Sequence, residues 1–255
     1  MPGRYDHQRC CDLASAEIDR FAAVIRGANP ATPVPTCGNW SLADLVQHIG
    51  QIHRWAGGMV AECSATRHSR KKADLPLPAD PATWPDWLAE GQRLLVPVLR
   101  AADPEARMWA WGPDKHVRFW SRRMVHETAV HRVDAELALG IQPRIAPAVA
   151  SDGVEEFLEN LPRSRSLRGE GEQLWLVASD RPDRWTIIRQ PTGFEWTRGD
   201  PQGGPAGAAG SVSVRASTAE LYLLLWGRWP STDARYAVAG DRGLLTHWQQ
   251  HAVIT

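Results

Sequence analysis

The spacing of apolar residues changes character at Gly140, and that change limits what this chain can fold into. Before it, Leu13, Ile18, Phe21, Ala22 and Ile25 recur at helical intervals, as do Leu45, Val46, Ile49 and Ile52. After it come short runs with strand character at 174–178, 185–189 and 194–197, separated by the turn signals Pro182-Asp183 and Pro191-Thr-Gly193. No βαβ rhythm joins the strands and helices of this half. The expectation is an all-α N-terminal four-helix bundle over 1–143, followed by a smaller α+β domain over 144–255.

Local signals place the elements. Pro30, Pro33 and Pro35 end the first helix. Ser41 is a natural N-cap for the second, with Asp44 at N3 completing a near capping box and Trp40 placed to staple onto Leu45. That helix is expected to stop near Ala56, before Gly57-Gly58. A polar loop follows over 64–82. Thr83 is expected to cap a third helix, with Pro85 in its first turn, continuing to about Ala102; Pro97 should kink or shorten it. The fourth helix should run from near Arg118 to Gly140, with Pro143 behind it. Four helices with modest loops predict an up-and-down bundle. Beyond a linker over 141–147, the chain reads as a helix at 149–161, a Gly/Pro loop at 199–210, a strand at 211–215 and helices at 218–226 and 241–251.

Composition narrows the function classes. The 29 basic and 29 acidic residues cancel, so there is no nucleic-acid footprint. Lys occurs only at 71, 72 and 115, so the positive charge is mostly Arg, which suits bidentate carboxylate binding. No apolar run reaches the roughly 18 residues of a membrane span. The first residues carry no apolar signal segment, and Cys10, Cys11, Cys37 and Cys63 lack Cys-x-x-Cys spacing. These features predict a cytoplasmic protein with free thiols and no membrane or nucleic-acid partner.

Glu127 and His131 stand four apart in a helical run free of Gly and Pro, so both project from one face. A carboxylate and an imidazole so placed can hold two corners of a metal site, and a third ligand would complete the His2Glu set of catalytic zinc. His126-Glu127 begins like the zinc-protease motif, but the next His comes one residue late. A five-residue step turns about 500°, so His126 and His131 cannot share an ion. The facing helix offers His48 or His53, about 140° apart on a helical wheel. Both flank its apolar face, and periodicity does not choose between them.

Three stretches carry a family resemblance. Thr36-Cys-Gly-Asn-Trp-Ser-Leu-Ala-Asp-Leu-Val-Gln-His48, followed by His53-Arg-Trp55, resembles the N-terminal domain of mycothiol-dependent maleylpyruvate isomerases, which are DinB-like four-helix bundles. Arg123-Met-Val-His-Glu-Thr-Ala-Val-His-Arg-Val-Asp-Ala135 is similar to the family's second signature. Ser217-Thr-Ala-Glu-Leu-Tyr-Leu-Leu-Leu-Trp-Gly-Arg228, with Gly240-Asp241 after it, resembles the sterol-carrier-like C-terminal domain. Gly38-Asn39 departs from the usual Pro-Gly pair, which alters a turn and no ligand.

The resemblance implies metal ligands at His48, Glu127 and His131, a functional Arg at Arg228, and zinc and mycothiol as cofactors. A thiol on such zinc loses its proton and becomes a nucleophile near neutral pH. The implied reaction is thiol addition to an electrophilic small molecule, a carboxylate, leading to cis–trans isomerisation; Arg228 would grip the carboxylate or stabilise an enolate. A mycothiol S-transferase would use the same site. A metal-dependent sensor of the anti-sigma type is the non-enzymatic alternative, disfavoured by a ligand set without Cys.

Other residues read more plainly. Asp134 is expected to make a helix-surface contact, with a role as partner to His131 as the alternative. His53 reads as an edge-of-core residue, His126 as structural or solvent-facing, and Cys37 as a packing residue. Arg54, Arg122, Arg123 and Arg132 read as mostly solvated helix faces, with cofactor binding by one of them as the alternative.

Overall fold

The structure, a computed structural model, describes residues 6–69, 75–199 and 210–254. The chain divides into two compact units, one ending at Arg144 and the other beginning at Ile145. Parts of two expected loops, at 70–74 and 200–209, lie outside the described residues.

The first unit holds four long helices: α1 (His7–Val24), α2 (Leu42–Ala61), α3 (Trp84–Ala101) and α4 (Val117–Ala138). Each packs against two others: α1 against α3 and α4, and α2 against the same pair. α1 and α2 are therefore diagonal, as are α3 and α4. This differs from the expected up-and-down order, in which consecutive helices are neighbours. The segments 25–41 and 102–116 are long enough to cross the diagonals. Phe21, Ile25, Leu42, Leu45, Val46, Ile49, Trp84, Trp87 and Leu88 fill one core cluster. Each large apolar side chain buried there contributes roughly 1.5–3 kcal/mol.

Two helix boundaries differ from expectation, the end of α2 and the cap of α3, while α3 ends as expected. α2 starts as expected, with the full Ser41–Asp44 capping box. It does not stop at Ala56 but runs through Gly57-Gly58 to Ala61. Gly57, Met59 and Val60 are buried in this last stretch, and burial carries the helix past the two glycines. α3 carries Pro97 and continues past it to Ala101. One backbone bond is lost there, while buried Leu95, Val96 and Leu99 hold the last turn. Thr83 occupies the N-cap position of α3 without a side-chain cap bond; Asp80 instead caps the preceding 3-10 turn, Pro81–Thr83.

In the second unit, α5 (Pro147–Asn160) precedes β1 (Gln173–Ala178), β2 (Arg184–Gln190), β3 (Gly193–Arg198) and β4 (Ser211–Ala216); α6 (Thr218–Leu225), β5 (Ala237–Gly240) and α7 (Arg242–His251) follow. The sheet order is β3-β2-β1-β4-β5. β1 and β4 run parallel; the other pairs are antiparallel. α6 packs on β1 and β4, α5 packs on α6, and α7 packs on β4. Ser217 with Glu220 caps α6, and Asp241 caps α7. β5 was not among the expected strands. Its four residues Ala-Val-Ala-Gly lack alternation, and only pairing with β4 defines them. Gly240, at φ 97°, ends β5 where a Cβ would lie 2.2 Å from the Ser211 carbonyl oxygen.

Candidate metal centre

α2 and α4 bring His48, Glu127 and His131 together. His48 Nε2 lies 3.3 Å from Glu127 Oε1, and His131 Nε2 lies 3.6 Å from the same oxygen. One ligand atom from each residue fits within 4.8 Å of the others. The two imidazoles meet nearly edge to face, with ring centroids 5.0 Å apart. The half-buried Trp40 indole packs beside both, 4.9 Å from the His48 ring and 6.4 Å from that of His131.

Asp134 orients His131. Its Oδ2 lies 2.8 Å from His131 Nδ1, and its Oδ1 accepts a 2.6 Å hydrogen bond from the Thr36 hydroxyl. The Cys37 thiol donates to Oδ2 at 3.4 Å. Asp134 is fully buried, so the surface contact expected of it is replaced by the partner role. A carboxylate on Nδ1 keeps that nitrogen protonated and leaves Nε2 to face Glu127, the arrangement that metal-ligating histidines use. Cys37, His131 and Asp134 also form a compact donor group. It shares His131 through Nδ1, the nitrogen that a ligand role at Nε2 leaves protonated. Cys37 packs against the core cluster as expected, and its contact with Asp134 is additional.

The ionised Glu127 suits a cation, whose binding would displace the extra proton favoured on His131. Burial disfavours the Glu127 carboxylate, but hydrogen bonds from His131 and His48 and the charge of Arg123 outweigh it, and its pKa lies well below the ordinary value. Burial likewise opposes the His131 imidazolium. Its contacts with Asp134, Cys37 and Glu127 prevail and raise its pKa well above the ordinary value. Two imidazole nitrogens converging on one ionised carboxylate oxygen are a donor set that fits a divalent ion such as zinc.

The remaining sequence expectations sort clearly. His53 does not join the group. It is fully buried, 2.9 Å from the Thr128 hydroxyl, with no partner for Nδ1 among the described residues. His126 is buried and outside the group. Arg228 lies in the second unit, half-buried, with Nη1 donating to the Trp226 carbonyl at 2.7 Å. The four arginines read as solvated are buried. Arg54 donates to the carbonyls of Gly50 and Trp87 and stacks on the Trp87 ring. Arg132 bridges Glu17 and Glu136. Arg123 pairs with Glu127 Oε2 at 3.2 Å. Its spacing of four residues from Glu127 is the sequence signal that could have found it.

Burial lowers the His53 pKa from 6.5 to about 3. Because the folded value is the lower one, the unfolded chain binds the extra proton between these limits. Stability is complete above about pH 6.5 and falls with pH toward 3, by up to about 1.4 kcal/mol per unit. His131 works in the opposite direction, since its raised pKa favours the fold at low pH. Comparison of wild type with His53→Gln isolates the first effect. Urea unfolding at pH 5 and 7 is expected to show a smaller loss at pH 5 for the variant; equal losses would contradict the assignment.

Residues 11–136 match the mycothiol maleylpyruvate isomerase N-terminal domain, and residues 148–247 match the MDMPI C-terminal domain. The chain belongs to this family, which is one of isomerase-type enzymes. Among solved structures, that of the mycothiol-dependent maleylpyruvate isomerase aligns with a TM-score of 0.64 at 13% identity, covering 93% of this chain and 95% of the other. A histidine-to-alanine mutant of the mycothiol-dependent maleylpyruvate isomerase aligns at 0.58, also with 13% identity, over 86% and 88% of the two chains. At that identity the likeness speaks for the fold. No curated protein matches the chain. Among the described residues, no helix is long and apolar enough to cross a membrane.

Proposed function

We propose that this chain is a mycothiol-dependent enzyme of the maleylpyruvate-isomerase type, acting in the cytoplasm on a small carboxylate substrate. In this reading the first domain, 1–143, is the DinB-like metal-binding part and the second, 144–255, the sterol-carrier-like part. The observation that carries it is the convergence of His48 Nε2 and His131 Nε2 on Glu127 Oε1 in a chain of this family. His48, Glu127 and His131 would hold the ion, with zinc favoured by the ligand set. A divalent ion there supplies a Lewis acid that lowers the pKa of a bound thiol.

The protein's own groups do the rest. Asp134 holds the proton on His131 Nδ1, fixing the ring. Glu127 stays ionised and offers a negative oxygen between the two imidazoles. The Trp40 indole covers one side of both rings and restricts water there. Arg228 supplies a guanidinium able to grip a carboxylate through two parallel bonds or to steady an enolate oxygen. Cys10, Cys11, Cys37 and Cys63 are all free thiols, which suits a reducing compartment.

Arg228 provides the functional test. Arg228→Ala is expected to retain the metal and the fold while losing roughly 10²-fold or more in turnover of maleylpyruvate with mycothiol. Unchanged turnover would reduce Arg228 to a residue that ties off the end of α6. A wild-type protein that consumes mycothiol stoichiometrically with an electrophile, and isomerises nothing, would be an S-transferase.

A further inference from the structure

Arg123 lies one helical turn before Glu127 on α4 and is almost completely buried, with 2% of its surface exposed. Its Nη2 stands 3.2 Å from Glu127 Oε2. The other oxygen, Oε1, faces both imidazoles. The two oxygens of one carboxylate therefore have different partners. On another side of the guanidinium, its carbon lies 5.9 Å from the centre of the Trp111 ring. Trp111 packs edge to face on Phe119 of the same helix, with centroids 5.3 Å apart. Arg123 is thus held between the carboxylate of the candidate centre and a partly exposed indole.

We infer that Arg123 is a positioning residue that takes up Glu127 Oε2, so that Glu127 offers the centre one oxygen. The inference rests on the reading of His48, Glu127 and His131 as metal ligands. A carboxylate with both oxygens free can bind an ion through one or both. A second bound oxygen would fill the position that a thiol needs. A guanidinium suits this task because it keeps its charge when buried, and here it acts by charge: Nη2 stands 3.2 Å from Oε2 without hydrogen-bond geometry. The pairing is also mutual, since a buried Arg beside an ionised Glu is far less costly than either alone.

Cobalt reads the number of bound atoms directly. Wild type, Arg123→Met and Arg123→Lys are loaded with Co²⁺, and zinc affinity is measured by competition with a chromophoric chelator. Wild type is expected to give the intense visible bands of four-coordinate cobalt. Arg123→Met is expected to give weak bands of higher coordination, with zinc bound roughly 10–100-fold less tightly. Arg123→Lys should fall between them. Thermal unfolding of the metal-free proteins separates position from stability: a purely structural Arg123 would lower the melting temperature and leave the cobalt bands unchanged. Cobalt bands and zinc affinity equal to wild type in a folded Arg123→Met overturn the inference and leave the ligand set standing. A wild type that takes up neither metal overturns both. Should Arg123→Met not fold, Arg123→Lys decides: changed bands support the role, and unchanged bands overturn it.

Discussion

Replacing Arg132 with Met is expected to cost the first unit about 3–5 kcal/mol. Arg132 is 1% exposed, and Glu17 is equally buried. The guanidinium donates from Nε to Glu17 Oε2 and from Nη1 to Glu136 Oε1, each at 2.6 Å, and from Nη2 to the Arg144 carbonyl at 3.1 Å. It joins α1 to α4 and fixes the end of the first unit. Without it, two carboxylates share a dry site with one cation fewer. Arg20 reaches Glu17 at 2.7 Å and remains as partial compensation. Burial raises the Glu136 pKa even with Arg132 in place, so that carboxylate would respond by taking up a proton. Urea unfolding at pH 7 measures the cost. Adding Glu17→Gln and Glu136→Gln to Arg132→Met should recover much of it, because the penalty is chiefly that of unpaired charge. A loss below about 1 kcal/mol in the single variant, the range of an exposed pair, would show that water reaches the triad.

His131→Ala has the largest expected effect on the site. It removes the Nε2 that faces Glu127 and the ring that Asp134 orients. Stoichiometric metal should be lost, a larger effect than the roughly 10–100-fold that follows removal of an outer partner. Glu127→Ala and His48→Ala should do the same. The bundle should still fold, because His131 is only half-buried and the core cluster does not include it. Elemental analysis after dialysis, with circular dichroism as the fold control, gives the answer. A folded His131→Ala that retains one ion per chain would exclude the ligand set.

How much of this was legible beforehand depended on whether a residue's role was local. The helix start at Ser41 was readable because a cap is made within three residues of chain; Ser217 and Asp241 cap the later helices in the same local way. The strand runs were readable because the turn signals Pro182-Asp183 and Pro191-Thr-Gly193 bound them locally. The end of α2 was not, because Gly57-Gly58 reads locally as a stop, while burial of Gly57, Met59 and Val60 against distant parts of the chain carries the helix on. β5 was invisible because its pairing with β4, not its composition, makes it a strand. The diagonal order of the bundle was misjudged because helix periodicity marks a buried face without saying what covers it.

The same limit applied at the site. Glu127 and His131 stood out because one helical turn connects them. The choice of His48 over His53 came only through a family resemblance, since both flank the apolar face of α2. In the structure His48 faces Glu127, while His53 sits beside Thr128 in the interior. The arginines of α4 were misread because charge in a helix ordinarily marks a solvated face. α4 is buried on nearly all sides; there Arg123 meets Glu127 and the Trp111 ring, and Arg132 pairs with Glu17 and Glu136.

The central claim is a thiol-using metal centre built on His48, Glu127 and His131. Calorimetric titration of metal-assayed protein with mycothiol, with and without chelator, tests it most directly. The account predicts zinc near one per chain and a matching stoichiometry of mycothiol, both lost on chelation. Mycothiol binding unaffected by the chelator, or a protein that holds no metal, would contradict it.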